Sequence, residues 1–452
     1  MVKNTSLLDF ATENTKAYGA YTIEQRALPD FRDGLKPVQR RILWATHKMG
    51  IHSAGSVKKS ARIVGEVIGK FHPHGDSAAY EALAKMTQFN EPLIHGGESN
   101  FGDYEDKPAA QRYTECKLSS YSDKYLLDPD YLALVPMVSN YDGEYTEPVF
   151  LPSKVPNLIV NGTEGIATGC ACLIPSFSLD SVIKLVNILL NGEQATPKIC
   201  AKILKFQFTY GGKVNSSKKD IREYFESGFQ TLFFMPAYSI EDDGKFVIKS
   251  ISPRFNVRGK LEKLSSIKGV QRVEDKRGGG NIRFDVLINK RHSQEDTGDK
   301  IVDSLLTNLN CKTYTTTRLK DGETVKFNRT NIPKFLDKWV KWRVKFEKKV
   351  IKRLVAVEKG KKLIQEWLLF AIENKKEIIS SLETSTPEKY LMNKMKISEE
   401  QVKFILDLKV RSLAKAEKDP VHKKIKQHSD SMVSLRKELE KPEKRVAKGF
   451  AI

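Results

Sequence analysis

The chain has 452 residues, of which 40% are hydrophobic and 29% charged, and it carries a formal net charge of +20. This composition is typical of a globular protein of two to four domains and excludes a disordered chain. The sequence has neither an apolar run of about 18 residues nor a basic N-terminal segment followed by an apolar one, so we expect no membrane span and no secretory signal. Five cysteines without a CxxC pair indicate free thiols in a reducing, intracellular setting and no zinc site.

The excess of positive charge lies in the C-terminal part of the chain. Residues 1–150 hold 17 basic and 20 acidic side chains, residues 151–333 hold 28 and 19, and residues 334–452 hold 31 and 17. A basic chain of this size suggests a polyanionic partner. A solvated helical surface explains the C-terminal excess equally well, so both interpretations stay open at this point.

Three helices separated by short turns are predicted in the first third of the chain. Proline suits the first position of a helix, and glycine suits its end. These signals place helices at Pro37–Met49, Lys59–Phe71 and Ala78–Gln88. Asp76 or Ser77 is expected to cap the third helix. Helices in this order are the plan of a helix-turn-helix or winged-helix module, although similar pairs also occur in all-α cores.

The pattern changes to an α/β region between about residues 151 and 329. Short β-rich runs occur there with glycine-rich turns between them. The predicted strands are Thr231–Met235, Phe246–Ile251 and Ile282–Asn289, and Gly278–Gly280 is a predicted turn. This pattern predicts strands without fixing their topology.

A long helix is predicted from Pro333 to about Ser381. Its narrow apolar stripe is typical of a helix that lies against a partner helix. A compact group, Ile397–Leu413, follows, and a last helix over about His422–Glu440 can return antiparallel to the first.

Two groups of residues could take part in catalysis or in ligand binding. The first is the pair Arg112-Tyr113: tyrosine can act as a nucleophile, and an adjacent cation favours the phenolate and stabilises charge on a phosphate under attack. A packed, hydrogen-bonded tyrosine is the usual alternative. The second group could hold phosphates, or its cations could pair with Asp30 and Asp33; it comprises Arg26, Arg32, Lys36, Arg40, Arg41, His72 and His74.

Long blocks of the sequence resemble the A subunits of gyrase and topoisomerase IV. Residues 26–41 (RALPDFRDGLKPVQRR) and 59–77 (KSARIVGEVIGKFHPHGDS) resemble the opening signature, and residues 109–115 (AAQRYTE) resemble the nucleophile segment. Further matches are Asn100–Gly102, Asn140–Gly143, Glu147-Pro148, Leu151-Pro152, Asn157–Gly169, Ile397–Val402, Ile405–Asp407 and Leu413. The middle of the chain, about residues 181–330, matches poorly.

The resemblance implies a role for each matching residue. Tyr113 would attack the DNA backbone and form a 5′-phosphotyrosine, and Arg112 would stabilise the transition state. His74 and Arg26 would line the same pocket. The implied DNA contacts are Lys36, Arg40, Arg41 and His72, with Ser77 and Glu81 in the region where quinolones bind. Ile166 would wedge between base pairs and bend the DNA.

The resemblance also implies an architecture of several α+β domains. We expect an N-terminal arm over residues 1–25, a winged-helix DNA-gate domain over 26–150, an α/β tower domain over 151–332, and a long antiparallel coiled coil with a dimer gate over 333–452. The chain would act as a homodimer on double-stranded DNA, since two strands need two tyrosines.

The sequence lacks the acidic Toprim pattern, a P-loop and the ATPase motifs of the family's B subunit. We therefore expect no metal site in this chain, and Mg²⁺ and ATP on a B-type partner subunit. No β-propeller follows Ile452, which favours relaxation or decatenation, and compactness is also seen in phage enzymes. Two alternatives remain: a non-catalytic DNA-binding or architectural protein, and a coiled-coil structural protein, which explains only the last third.

Overall fold

A computed structural model describes residues 6–167, 169–241, 244–278, 281–289, 291, 294–319, 325–408 and 417–450. The fold is a mixture of helices and small sheets, as expected. The chain divides into two compact units between Arg343 and Val344, with Phe450 assigned to the first unit. This division falls inside the long helix and does not test the finer domain boundaries, which stay predictions.

The first third of the chain contains the three predicted helices, and their bounds agree with the prediction to within two residues. They are Pro37–Lys48, Ser60–Lys70 and Asp76–Thr87. The third helix begins earlier than predicted. Gly75, rather than Asp76 or Ser77, occupies its N-cap position and contributes no side-chain hydrogen bond. Asp76 stands instead in the first turn, where its charge is favourable beside the helix N-terminus. The other helices before residue 162 are Leu7–Thr22, the π-helical turn Ile23–Ala27, Ser120–Tyr125, Pro129–Leu132 and Asn157–Asn161.

Two small antiparallel sheets accompany these helices. In the first, Glu115–Leu118 is the central strand between Lys58–Lys59 and Ile94–His95. The second pairs Met137–Ser139 with Thr146–Pro148. The central strand matters for the site, because it begins two residues after Tyr113 and fixes the C-terminal side of that segment.

The middle of the chain is α/β, as predicted, and its two larger sheets are antiparallel. The five-stranded sheet has the order Thr163–Ala167, Cys170–Ile174, Thr307–Lys312, Phe229–Met235 and Lys213–Val214. The four-stranded sheet has the order Tyr238–Ile240, Phe246–Ile248, Phe284–Ile288 and Val270–Asp275. The three predicted strands are therefore confirmed with adjusted ends; Gly279 and Gly280 of the predicted turn lie outside the described residues.

Helices and one hairpin complete this region. The helices are Leu179–Leu190, Pro197–Ile203, Lys218–Ser227, Val257–Ser265 and Gln294–Leu305. The hairpin pairs Tyr314–Arg318 with Val325–Arg329. A buried apolar cluster that includes Phe246, Phe284 and Leu305 holds the four-stranded sheet against its helices.

The long helix Ile332–Glu373 has 42 residues, so it is about 63 Å long. It ends earlier than predicted, and Asn374 separates it from the helix Lys375–Ser381. The remaining helices are Pro387–Met395, Glu399–Leu406, Lys418–Glu440 and Pro442–Lys448. The predicted group that ends at Leu413 is described only to residue 408, and Leu413 itself lies outside the described residues.

The helix Lys418–Glu440 returns antiparallel to the long helix, as predicted. Lys418 contacts Glu373 at 3.2 Å, whereas His428, further along, contacts Glu358 at 2.7 Å, earlier in the long helix. A buried cluster that includes Ile372, Leu391 and Val421 forms a core in the second unit. Within the described part of the chain, we find no helix whose length and apolar character would let it span a bilayer. All five cysteines are free thiols, which confirms that prediction.

Candidate active site and nucleic-acid interface

Tyr113 lies in a turn that hydrogen bonds hold on both sides. Its amide donates to the carbonyl of Ala110 at 2.9 Å, and the amide of Ser60 donates to the carbonyl of Thr114, also at 2.9 Å. Thr114 is only 1% exposed, and its hydroxyl donates to Oγ of Ser60 at 2.8 Å. The preceding side chain, Tyr113, is 65% exposed. The buried threonine therefore anchors a rigid support that presents the phenol to solvent.

Arg112 shares this exposed turn with Tyr113. Its guanidinium carbon lies 4.7 Å from the centroid of the Tyr113 ring, which is a cation–π distance. The side chain is also exposed, so its donors can reach an anion in solvent. The two side chains are thus placed side by side, as their adjacency in the sequence suggested.

The helix Asp76–Thr87 is tied to the tyrosine segment. Nε2 of Gln111 donates to Oδ2 of Asp76 at 2.7 Å. Ser77 and Glu81 lie on this helix with exposed side chains, and Oγ of Ser77 is 3.5 Å from Oδ1 of Asp76. Their predicted contact to DNA or to a drug stays a prediction, but both are accessible.

His72 and His74 form a stacked pair after the helix Ser60–Lys70. Their ring centroids are 4.3 Å apart, and the ring planes differ by 15°. Nε2 of His74 lies 3.4 Å from the hydroxyl of Tyr21, a residue that no sequence motif singles out. Tyr21 belongs to the N-terminal helix, so an element outside the recognised motifs reaches the histidine pair.

Arg41 joins this pair to a buried carboxylate. Its Nε and Nη2 donate to the two carboxylate oxygens of Glu147 at 2.6 and 2.8 Å, and Nη1 donates to Nδ1 of His72 at 3.0 Å. Arginine is always a donor, so Nδ1 of His72 accepts, and the hydrogen bond assigns the proton of the neutral ring to Nε2. Glu147 is 3% exposed and also lies 3.5 Å from Arg318. Neither Glu147 nor Arg318 was predicted as a site residue.

The electrostatic surroundings keep both histidines neutral at neutral pH. Burial lowers the pKa of His72 to about 4, helped by the charges of Arg41 and His74. Burial also lowers the pKa of His74, and the cations Arg26 and Arg41 add to this effect. Arg26 itself is exposed in the π-helical turn Ile23–Ala27. The neutral His74 can accept a proton, whereas Nδ1 of His72 is already occupied by Arg41.

Arg40 is turned away from solvent. It is 4% exposed, and its guanidinium donates to both oxygens of the buried Asp33 at 2.7 and 3.1 Å. Arg32 pairs in the same way with Asp30, at 2.8 and 2.6 Å. The alternative of ion pairs with the two aspartates is therefore confirmed for these arginines, although the pairs are buried rather than on the surface. Arg40 is thus held by Asp33 in this structure, and its predicted contact to DNA stays a prediction.

The exposed Ile166 lies in a hairpin that is packed against the basic cluster. The hairpin pairs Thr163–Ala167 with Cys170–Ile174, and the Ile166 side chain is 80% exposed. Nζ of Lys36 donates to the carbonyl of Glu164 at 2.5 Å, and burial lowers the pKa of this lysine. A Cβ added at Gly165 would lie 2.0 Å from the carbonyl oxygen of Ala27. The hairpin is thus held close to the backbone next to Arg26 while Ile166 points outward.

Six of the predicted site residues form two groups in the structure. Tyr113 and Arg112 form one, and Arg26, Arg41, His72 and His74 form the other; Lys36 lies at the hairpin. Among the described residues, no hydrogen bond or ring contact joins Tyr113 to either histidine. No group of three or more His, Cys, Asp and Glu side chains in the described part of the chain is arranged to hold a metal ion.

Comparison with known proteins identifies the family of this chain. Residues 26–448 match the family described as the A subunit of DNA gyrase/topoisomerase IV. The A subunit of DNA topoisomerase 4 from Pseudomonas aeruginosa is 33% identical over 437 residues, which cover 92% of this chain and 56% of that protein. The A subunit of DNA gyrase from Clostridium acetobutylicum is 34% identical over 442 residues, 92% of this chain and 52% of that protein. The A subunit of DNA topoisomerase 4 from Escherichia coli K12 is 32% identical over 439 residues, with 92% and 57% covered. The chain spans about half the length of these relatives, and their bacterial origin gives no support to a viral one.

Proposed function

The chain belongs to the A-subunit family of DNA gyrase and topoisomerase IV, and from this premise we propose that it is the DNA-breaking and rejoining subunit of an ATP-dependent type IIA topoisomerase. The observation that carries this proposal is the turn that exposes Tyr113 beside Arg112 on a buried anchor, Thr114. A tyrosine that served only packing would not need its ring in solvent, since burying an aromatic ring is favourable.

The reaction is a transesterification at the DNA backbone. Oη of Tyr113 attacks a backbone phosphorus, the phenol loses its proton, and the bond from phosphorus to the 3′ oxygen breaks. The 5′ phosphate is then joined to the tyrosine, and the freed 3′ oxygen takes up a proton. One phosphodiester bond is exchanged for another in this step. The reverse attack by the 3′ hydroxyl therefore reseals the strand without another energy source.

The neighbouring side chains have separate roles in this proposal. Arg112 stabilises the negative charge that develops on the attacked phosphate. His74, which is neutral at neutral pH, is a proton acceptor, and Arg26 adds a cation to the pocket. The other residues that we propose to contact the DNA are Lys36, Arg40, Arg41, His72 and Ser77. Ile166, exposed at the hairpin, inserts between base pairs and bends the duplex.

The proposal includes an assembly larger than one chain. Two copies form a homodimer, so that each Tyr113 cuts one strand and a second duplex passes through the break. The domain scheme is a winged-helix gate, an α/β tower and a coiled coil that ends in a dimer gate. Mg²⁺ would stabilise the leaving oxygen and ATP would drive the conformational cycle, and both bind a B-type partner subunit carrying the Toprim and ATPase functions.

A trapped-cleavage assay tests this function. The chain, a competent B-type partner, Mg²⁺, ATP and end-labelled supercoiled DNA are mixed, quenched with detergent and digested with protease. We expect double-strand breaks with a covalent 5′ linkage, which Tyr113→Phe abolishes. Tyr145→Phe is the matched control, because Tyr145 is also a partly exposed tyrosine but lies on another loop; this variant should cleave normally.

The same experiment distinguishes the alternative of an architectural DNA-binding protein. Tight DNA binding without covalent product, unchanged in Tyr113→Phe, would support that alternative and overturn the enzyme. The assembly is tested separately by sedimentation at micromolar concentration, where we expect a dimer. A monomer under those conditions would contradict the arrangement with two tyrosines.

A further inference from the structure

Five lysines lie along one face of the long helix within the second compact unit. They are Lys345, Lys348, Lys349, Lys352 and Lys359, and all five side chains are exposed. With 3.6 residues per turn, they fall within about 100° of the helix circumference and extend for about 21 Å along its axis. We call this set the lysine stripe.

No carboxylate interrupts the lysine stripe between its two ends. Glu347 and Glu358 are the acidic residues of this segment. Helical geometry places both about 140–160° away from Lys345. They contact the C-terminal helices instead, through Arg445 at 2.8 Å and His428 at 2.7 Å. The stripe therefore lies on the side of the long helix that faces away from the returning helix.

Within the described part of the chain, the stripe lysines have no ion pair, which is also true of Lys423 and Lys424, whereas five other lysines of this unit are paired. Lysines that are paired with a carboxylate in this unit are Lys361, Lys362, Lys394, Lys403 and Lys418. Like charges three and four residues apart on a helix repel one another and destabilise it. A row of unpaired lysines at these spacings is thus unfavourable for the isolated helix and becomes favourable when an anion neutralises it.

We propose that the lysine stripe binds the phosphate backbone of double-stranded DNA and forms a second DNA-contact surface, in the compact unit that does not contain Tyr113. Duplex DNA carries one negative charge per about 1.7 Å of its axis, so a stripe of about 21 Å faces enough phosphates to engage every lysine. Unbranched lysines without aromatic neighbours on the stripe fit backbone contacts rather than base recognition. The identification of this DNA as the duplex that passes through the break rests on the proposed function; the contact itself does not.

This inference accounts for a charge that the tyrosine site leaves unexplained. The residues after 333 hold 31 basic against 17 acidic side chains, yet the predicted site residues all lie before residue 167. A solvated helical surface needs no particular order of its charges, whereas these five lysines share one face of the helix. The lysine stripe is neither paired nor scattered.

The direct test is lysine footprinting on the intact chain. The chain is acetylated with an amine-reactive reagent with and without a linear duplex, and the modification of each lysine is measured by mass spectrometry. We expect the duplex to reduce the acetylation of the stripe lysines several-fold, in the wild type and in Tyr113→Phe alike. The paired lysines Lys394 and Lys403 should be modified equally in both states.

Salt dependence gives an independent measurement. A variant with all five stripe lysines changed to glutamine should show a slope of log affinity against log salt that is less steep by up to about 4.5, because each phosphate contact contributes about 0.9 to the slope. Glutamine has a helix propensity similar to that of lysine, so the helix should persist. The matched control replaces the five paired lysines by glutamine; it removes the same charge and should keep the wild-type slope.

Each outcome decides the proposal independently of the tyrosine chemistry. Equal acetylation with and without duplex, or equal slopes for both variants, would show a solvated surface and overturn it. Protection by the B-type partner without DNA would overturn it in favour of a protein interface. Protection by DNA without any covalent product would support DNA binding by the lysine stripe and contradict the proposed enzyme. Covalent product without protection would support the enzyme and contradict DNA binding by the stripe.

Discussion

Arg41 and Glu147 form a two-point ion pair, with N–O distances of 2.6 and 2.8 Å, although 106 residues separate them in the chain. Both side chains are nearly buried, and the third nitrogen of the guanidinium donates to His72. A buried cation held on two sides has one orientation. Glu147 therefore positions Arg41, and Arg41 fixes the tautomer of the histidine on which His74 is stacked.

We predict that Glu147→Gln destabilises the first unit by about 3 kcal/mol, because removal of one partner leaves a buried charge uncompensated. The free energy of unfolding, measured with urea, checks this value. Glu262→Gln is the control: it breaks an exposed pair with Arg258 and should have little effect. A loss as small as that of the control would mean that the pair does not hold Arg41.

The lowered pKa of His72 predicts a pH-dependent stability. The folded-state value is about 4, and the ordinary value for histidine is 6.5. Between these values the unfolded chain binds the proton more readily than the folded one, so stability rises with pH across the window and is lost as the pH falls toward 4. The cations Arg41 and Arg26 and the ring of His74 face His72 and oppose its protonation, whereas Glu147 favours it.

From this shift we expect His72 to contribute about 2 kcal/mol to the loss of stability between pH 7.5 and pH 5. His72→Asn keeps an acceptor for Arg41 but removes the titrating ring, and its unfolding free energy should fall less over the same interval by that amount. Parallel pH profiles of the wild type and the variant would contradict a buried, neutral His72.

Gly165 permits a close backbone approach that no larger residue can make. Gly165→Ala would place a methyl group 2.0 Å from the carbonyl oxygen of Ala27, so the hairpin or the turn next to Arg26 must shift. We expect a destabilisation of about 1–3 kcal/mol and a loss of DNA cleavage. Thermal unfolding and the trapped-cleavage assay provide the two measurements.

Gly65→Ala is the matched control for this change. Gly65 lies in the helix Ser60–Lys70, and a methyl group there meets nothing within 4 Å. Alanine should stabilise that helix by up to about 1 kcal/mol. If Gly165→Ala left stability and cleavage unchanged, the hairpin could move without loss of stability. The hairpin would then not be held close to the backbone next to Arg26.

The exposed Ile166 separates a role in DNA bending from a role in folding. Because its side chain is 80% exposed, Ile166→Ala should change the unfolding free energy by no more than about 0.5 kcal/mol. The bend that the protein imposes on a duplex, measured by energy transfer between dyes at the two DNA ends, should decrease. Ile166→Leu keeps an apolar wedge and should retain the bend; a full bend in Ile166→Ala would exclude the intercalating role.

The role of Tyr113 came only from the resemblance of residues 109–115 to the family's nucleophile segment. Local signals predicted the helices, because proline, glycine and apolar spacing act within one or two turns of chain. Local signals could not predict that Arg41 pairs with Glu147, because the two residues are far apart in the sequence. The sequence did indicate Asp33, seven residues before Arg40, as a possible ion-pair partner. It did not indicate whether that pair is buried or exposed. Tyr21 was not predicted because it lies outside every recognised motif, in a helix that also contains Tyr18.

Replacement of Arg112 tests whether its charge contributes to the reaction at the phosphate or only to DNA binding. Its guanidinium lies over the Tyr113 ring and is exposed, so Arg112→Gln should leave the fold intact. Without the cation, charge on the attacked phosphate is less stabilised, and we expect covalent complex to form about 100 times more slowly at saturating DNA. Arg62→Gln removes an equal charge from the helix Ser60–Lys70 and serves as the control. If both variants lose DNA affinity equally and form covalent complex at the wild-type rate once saturated, Arg112 contributes only to binding. A slow step confined to Arg112→Gln would place its charge at the reacting phosphate.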